Sequence, residues 1–340
     1  MDTLDPSNPH YPLVVVVGPT SSGKSALAVA VAKRMEGEVL NFDSVQVYRG
    51  FDVGSGKLSA AERQGVPHHL VDIVEPDGIF SAGDYRREGL RTLESVRARG
   101  KLPVLSGGSG LYLRALLLGL FSGPRRSEGL RQRLRGIADR RGRGFLHRML
   151  TRKDPASAAR MHPRDTQKII RALEVCFLAR QPLSHLLGRG REGLGGFRVL
   201  KVGLDPPRDE LCRRIDARVE QMYARGIIEE ARVALERGGA SIAALGALGY
   251  RQACALVQGK VSLDEAVCQT KTATRQYAKR QMTWFRREPD VHWFAGFGDD
   301  PEVEGKVLEW LDEAFAGGTA PLASIRRSHL QLARCDHEQP

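Results

Sequence analysis

The chain has 340 residues, 41% hydrophobic and 27% charged, with a net charge of +12 and a pI near 9.8. These proportions describe a globular chain with room for one large core or two domains, and no apolar run is long enough to cross a bilayer. The acidic, Pro-rich start MDTLDPSNPHYP does not read as a secretory signal, and five scattered cysteines (Cys176, Cys212, Cys254, Cys268, Cys335) with no C-x-x-C pair argue against a disulfide framework or a zinc site and suit a reducing cytoplasm.

The valines Val14 to Val17 predict a parallel strand buried on both faces. Gly18-Pro19-Thr20-Ser21-Ser22-Gly23-Lys24-Ser25 follows and fits G-x-x-x-x-G-K-[ST], and Ala26, Leu27 and Ala28 open a helix. A strand, a glycine loop and a helix form the context a phosphate-binding loop requires. Backbone N–H groups and the helix N-terminus would cradle the phosphates, Lys24 would reach an outer one, and Ser25 would hold Mg²⁺.

GEVLNFDS predicts a second strand and HHLVDIV a third. FSAGDYRREGLRTLESVRARG predicts a helix capped by Ser81 and ended at Gly100, and KLPVLSGGSGLYLRALLLGL repeats the strand, glycine turn and helix. This alternation predicts an α/β fold, a P-loop NTPase-like parallel sheet flanked by helices, with ligands at the C-terminal strand ends. Asp43, at the end of the second strand, would hold Mg²⁺, cap a helix or take a proton, and Ser44, Gln46 and Tyr48 add polar groups on the same rim. Ser106-Gly107-Gly108-Ser109-Gly110 is a candidate wall of the same site.

From Ser122 the pattern turns helical. Between Arg125 and Arg171 there are 15 Lys and Arg against 4 Asp and Glu, so the positive charge is concentrated there. The expected organisation is a P-loop core over 1–122, a helical, basic insertion domain over 123–196, the second part of the core over 197–316, and a mobile tail over 317–340. FRVLKVGLDP (Phe197 to Pro206) reads as a return strand. Arg213, Arg214 and Arg218 lie a turn apart, with Asp216 and Glu220 able to neutralise some of them. Lys271, Arg275 and Lys279 fall on one helix face, with Tyr277, Trp284 and Phe285 interleaved, a pattern suited to RNA phosphates and bases.

The chain resembles the tRNA dimethylallyltransferase (tRNA isopentenyltransferase) family. The resemblance rests on GPTSSGKS, DSVQVYRGFDVGSGK, HHLVDI, PVLSGGSGLYLRALLLGL, RMHPRDTQKIIRALEV, LGYRQ and TRQYAKRQMTWFRR, in order from Gly18 to Arg287. It implies transfer of a dimethylallyl group from dimethylallyl diphosphate to N6 of the adenosine just 3′ of a tRNA anticodon. Gly18 to Ser25 would then bind the diphosphate with Mg²⁺ as cofactor, Asp43 would engage the adenine amine, and Arg218 would be an additional diphosphate cation. The implied contacts to the anticodon stem-loop are Asp43, Ser44, Val45, Gln46, Ser109, Arg131, Gln167, Lys168, Ile169, Ile170 and Arg171. They continue with Gly246, Ala247, Leu248, Gly249, Tyr250, Arg251, Lys279, Arg280, Gln281, Met282, Thr283, Trp284, Phe285 and Arg286. Ser25 and Ser109 stand where the family often has Thr, and both keep a hydroxyl. Cys335 alone cannot build the zinc finger that some members append, which implies the short form. A cytoplasmic monomer without membrane attachment is expected.

Two rival readings use the same P-loop. A small-metabolite kinase would use Asp43 as its hydroxyl base, but leaves the concentrated charge without a purpose. An ATP-driven RNA-binding module lacks a hydrophobic strand ending in paired Asp-Glu.

Overall fold

The computed structural model describes residues 4–5, 7–188, 190–238 and 242–316. The expected tail over 317–340, with Cys335, lies outside them. The described chain forms two compact units, one being Arg114–Gly195 and the other the remainder.

The larger unit is built on six parallel strands in the order β3-β2-β4-β1-β5-β6. These are β1 (Tyr11–Val17), β2 (Gly37–Asn41), β3 (His68–His69), β4 (Leu102–Ser106), β5 (Phe197–Asp205) and β6 (Val291–Ala295). Every residue of β1 is buried, as its unbroken apolar run requires of a central parallel strand. Burying each of its valines contributes roughly 1.5–3 kcal/mol. Val14 and Val16 pack in one core with Leu27 and Val31 of α1 (Lys24–Arg34) and with Val303, Val307 and Leu311 of α13 (Pro301–Ala316).

The helix α2 (Ala82–Ala98) begins at Ser81, whose hydroxyl accepts from the Asp84 N–H while the Asp84 carboxylate accepts from the Ser81 N–H. The third expected strand shrinks to β3, two residues long. Leu70 and Asp72 adopt φ of 61° and 57°, which breaks the extended backbone straight after His69. The polar His pair is taken up locally, with His69 Nε2 2.6 Å from the Glu38 carboxylate and His68 Nδ1 2.8 Å from the Val66 carbonyl. The sixth strand, β6, had no counterpart among the expected elements. It extends the sheet beyond β5 and leads into α13.

After β5 come α9 (Arg208–Arg225) and α10 (Ile227–Gly238), separated at Gly226, whose φ of 111° ends the first helix. Two further helices, α11 (Tyr250–Val257) and α12 (Leu263–Phe285), complete the unit's helical side. Ser262 caps α12.

The smaller unit contains α4 (Glu128–Arg141), α5 (Arg143–Lys153), α6 (Pro155–Ala159), α7 (Thr166–Ala179) and α8 (Leu183–Gly188), while α3 (Gly110–Leu118) carries the chain into it. Leu134, Leu146, Leu150, Ile169, Ile170 and Leu173 form its core. Glu174 is fully buried beside them. It accepts from Arg131 Nε at 2.9 Å, Arg171 Nη1 at 2.6 Å and the Ser127 N–H at 2.7 Å. Burial alone would raise its carboxyl, but the hydrogen bonds from the two arginines and Ser127 overcome that and bring it down to about 2. Stability from this group is complete above the ordinary value of 4.5 and is lost as pH falls from there through about 2. Replacing Glu174 by Gln leaves two guanidiniums without their counter-charge. The expected loss is about 3–5 kcal/mol at neutral pH, read by urea unfolding, with the deficit shrinking as the pH is lowered.

Candidate functional site

Three neighbouring strands, β2, β4 and β1, end on one rim, and each hands the chain to a loop there. Leaving β1, the loop Gly18 to Gly23 turns into α1. Gly18 and Gly23 hold φ of 152° and 83°, and Ser21, although not glycine, holds 62°. Beyond β2 the chain reaches Asp43, and beyond β4 it reaches Gly107 and Gly108. These loops interlock, since the Phe42 N–H donates to the Ser106 carbonyl at 3.0 Å and the Ser109 N–H donates back to Phe42 at 3.1 Å. A Cβ on Gly107 would sit 2.5 Å from the Phe42 carbonyl carbon, so this close approach requires glycine.

The rim opens into a cavity of about 700 Å³ lined by Thr20, Ser21, Ser22, Gly23, Lys24 and Ser25, by Asp43 and Gln46, by Gly107 and Gly108, and by Arg218, Tyr277 and Gln281. Lys24 Nζ donates to the Pro19 carbonyl at 2.6 Å, and Arg218 Nη1 donates to Thr20 Oγ1 at 3.3 Å. Both residues are half-buried and line the cavity. Burial and the nearby Arg218 guanidinium lower the Lys24 ammonium to about 7, with Asp43 partly offsetting them. Burial also lowers the Arg218 guanidinium, again opposed by Asp43. Two basic side chains and one carboxylate on the same cavity give it a positive bias, an environment that favours an anion.

Among the described residues, three buried side-chain polar atoms lack a hydrogen-bond partner: Ser21 Oγ, Ser22 Oγ and Tyr85 OH. Two of the three belong to this loop and line the cavity, where phosphate oxygens would satisfy them.

Asp43 is held on one side. Its Oδ1 accepts from the Val45 N–H at 2.8 Å and the Gln46 N–H at 3.3 Å, and its own N–H donates to Asn41 Oδ1 at 3.0 Å. Those turn contacts fix the carboxylate and leave Oδ2 beside Gly108, where an added Cβ would come within 3.1 Å of it. The Tyr277 hydroxyl donates to the Gly108 carbonyl at 3.2 Å, and burial together with the negative Asp43 keeps it protonated. Gln46 Nε2 donates to the Ser55 and Gly56 carbonyls, and Gly56 packs directly on the Arg218 guanidinium.

The other expected site residues have varied placements. Ser44 is exposed, whereas Val45 and Ser109 are half-buried. Lys279, Arg280, Thr283 and Trp284 are exposed on the last turns of α12 and Met282 is half-buried, but Phe285 and Gln281 are buried. Arg286 pairs with Asp205 at 3.1 Å. Gly246 and Arg251 are exposed, Ala247 and Leu248 half-buried and Gly249 buried, and the fully buried Tyr250 donates to Glu230 at 2.7 Å. In the helical unit Gln167 and Lys168 are exposed, Ile169 and Ile170 are core, and Arg131 and Arg171 are committed to Glu174.

Two cations of the expected α12 stripe also have partners: Lys271 lies 2.5 Å from Glu220 and Arg275 2.9 Å from Asp216, both acids on α9. Those acids serve α12 rather than the arginines of their own helix, and Arg218 is thereby left to the cavity. Glu230 is a residue that sequence reasoning missed. Its carboxylate accepts the backbone N–H groups of Asp52, Val53 and Gly54 and so fixes the loop behind Arg218. An acidic residue in a helical repeat gives no sign of such a distant backbone target.

An IPP transferase family model matches residues 46–288. A tRNA dimethylallyltransferase of Koribacter versatilis is 49% identical over 297 residues, covering 87% of this chain and 97% of that protein. Similar solved structures include the full-length tRNA isopentenylpyrophosphate transferase of Bacillus halodurans (TM-score 0.66, 37% identity, covering 90% of this chain and 96% of that one). Another is a eukaryotic dimethylallyltransferase acting on tRNA (TM-score 0.76, 25% identity, 90% and 80% covered).

The depressed Lys24 ammonium gives the cavity a pH signature. In the free protein its buried charge costs stability below about pH 7, a cost relieved as pH rises toward 10.5. An anion bound beside it raises its proton affinity, so inorganic diphosphate should take up a proton at Lys24 above pH 7 and not below. Calorimetry at pH 8 in two buffers of different ionisation enthalpy measures this uptake. The difference between wild type and Lys24→Ala isolates the lysine from the titration of diphosphate itself, and equal uptake in both refutes the assignment.

Proposed function

The chain belongs to the IPP transferase family, and we propose that it transfers a dimethylallyl group from dimethylallyl diphosphate to N6 of the adenosine immediately 3′ of the anticodon in tRNA. The observation that carries this reading is the presence, in one cavity, of two half-buried basic side chains and a carboxylate fixed by its own turn. Lys24 and Arg218 suit a leaving diphosphate, and Asp43 suits the proton of an incoming amine.

The exocyclic amine of adenine is a poor nucleophile because its lone pair is delocalised into the ring. The reaction therefore needs a base at the nitrogen and strong stabilisation of the leaving group. In the proposed step the N6 lone pair forms a bond to the terminal allylic carbon as the C–O bond to diphosphate breaks. The electron pair leaves with the diphosphate, where Lys24, Arg218 and the loop N–H groups receive the charge. The N6 proton passes to Asp43, with Oδ2 as the acceptor since Oδ1 already holds two backbone N–H groups. The buried hydroxyls of Ser21 and Ser22 add donors for the phosphate oxygens.

Mg²⁺ fits this donor set. Ser25 lines the cavity beside Lys24 and has a hydroxyl to offer. Among the described residues no group of three or more His, Cys, Asp or Glu could hold a metal. A single protein oxygen supplemented by phosphate oxygens and water is a common arrangement for Mg²⁺. Bound there, the ion would supply positive charge to the diphosphate.

The tRNA is expected to reach Asp43 with its adenosine turned out of the loop, at a cost of a few kcal/mol. Exposed Lys279 and Arg280, the indole of Trp284, and the cations of the helical unit that are not committed to Glu174 supply phosphate contacts and stacking toward that cost. One asymmetric RNA loop is suited to a monomer. Among the described residues no helix is long and apolar enough to cross a membrane. A tRNA substrate is what suggests a cytoplasmic location.

The deciding experiment supplies tRNA, Mg²⁺ and either labelled dimethylallyl diphosphate or labelled ATP. Label on tRNA from the prenyl donor alone is expected, whereas ATP turnover without tRNA would favour a small-molecule kinase. Replacing Asp43 by Asn should cut transfer by about 10²–10⁴-fold with both substrates still bound, and near-normal turnover would remove Asp43 as the base. Changing Lys279 and Arg280 together to Ala should weaken tRNA binding and flatten its salt dependence by up to about two units of slope. An unchanged slope would show that this turn of α12 does not meet RNA.

A further inference from the structure

Gln281 was expected among the RNA contacts, but its surroundings describe another task. It is 5% exposed and sits near the C-terminal end of α12. Its Oε1 accepts the Thr20 N–H at 2.8 Å, and its Nε2 donates to the Gly108 carbonyl at 3.0 Å. One carboxamide therefore ties the loop after β1 to the loop after β4, using one acceptor and one donor. Tyr277, one helical turn earlier, donates to the same Gly108 carbonyl.

Both tied loops carry the candidate chemistry. Thr20 opens the stretch in which Ser21 holds a left-handed backbone that residues with side chains adopt rarely, and its hydroxyl is also the contact of Arg218. Gly108 presses on Asp43: an added Cβ there would meet Gln281 Nε2 at 2.6 Å and Asp43 Oδ2 at 3.1 Å. A shift of Gln281 would thus displace the anion cradle and the carboxylate together.

We propose that Gln281 is a positioning residue that holds the diphosphate cradle and the Asp43 wall in register, rather than a contact to RNA. This rests on the reading of the cradle as a diphosphate site. Chemical identity at this position matters in a specific way. Leucine fills similar space and deletes both hydrogen bonds. Glutamate keeps the acceptor facing Thr20, but it sets a carboxylate against the Gly108 carbonyl and brings negative charge to the edge of an anion site.

The test measures inorganic diphosphate binding by calorimetry with Mg²⁺ and no RNA, the KM for dimethylallyl diphosphate at saturating tRNA, and the Kd for tRNA by mobility shift. Gln281→Leu is expected to weaken diphosphate binding and raise the donor KM roughly tenfold, leaving tRNA affinity within about twofold. Gln281→Glu should weaken diphosphate binding further than Leu does, an order that tracks charge rather than packing. Should Gln281→Leu fail to fold, the split between diphosphate and tRNA affinity in Gln281→Glu decides alone. Unchanged diphosphate affinity, or a loss confined to tRNA binding, overturns the proposal. Wild-type protein that binds no diphosphate at all sinks the functional reading, and this proposal falls with it.

Discussion

The site depends on the confinement of two cations, Lys24 and Arg218, opposite a single carboxylate. Burial lowers both groups, and the Arg218 guanidinium further lowers the Lys24 ammonium, while Asp43 opposes both shifts. An anion bound there, as proposed above, would offset the cost of that burial. Everything nearby keeps the arrangement from relaxing: the glycines that let the loop close around the lysine, the loop from Asp52 to Gly56 that backs the arginine, and the turn that clamps Asp43 by one oxygen.

The parallel sheet makes such confinement inexpensive. Adjacent parallel strands deliver their C-terminal ends to one edge, so β1, β4 and β2 place the Gly18–Gly23 loop, a glycine wall and an acid side by side without long-range loop packing. The helices then complete the cavity. Helices α9 and α12 pack through Leu211, Ile215 and Ala278 and through the Tyr223–Thr270 hydrogen bond, with the Asp216–Arg275 and Glu220–Lys271 pairs at the solvent edge. From that pair α9 contributes Arg218 and α12 contributes Tyr277 and Gln281.

Much of this was legible in the sequence because it is local. Four valines, a glycine loop and an alanine-rich start announce β1 and α1, and Ser81 announces α2. Asp43 could be placed on the rim because strand ends are read from nearby residues. What was not legible depended on pairing across distance. VHWFA is as long as β2 and β4, but its residues are half-buried or exposed and its pattern is too mixed to mark β6 as a strand. The spacing of Lys271 and Arg275 gave their helix face correctly, but their partners lie about fifty positions upstream. Likewise, Arg131, Arg171, Tyr250 and Gln281 look like surface groups by residue type, and only the packed structure shows that they face inward.

The wall beside Asp43 has one further consequence. A β-carbon at Gly108 would meet Gln281 Nε2 at 2.6 Å, Asp43 Oδ2 at 3.1 Å and the Tyr277 hydroxyl at 3.3 Å. All three are side-chain tips, so the shape of that flank is set by how those tips are tethered, and a methyl group added there would be accommodated only by moving the carboxylate and the carboxamide together.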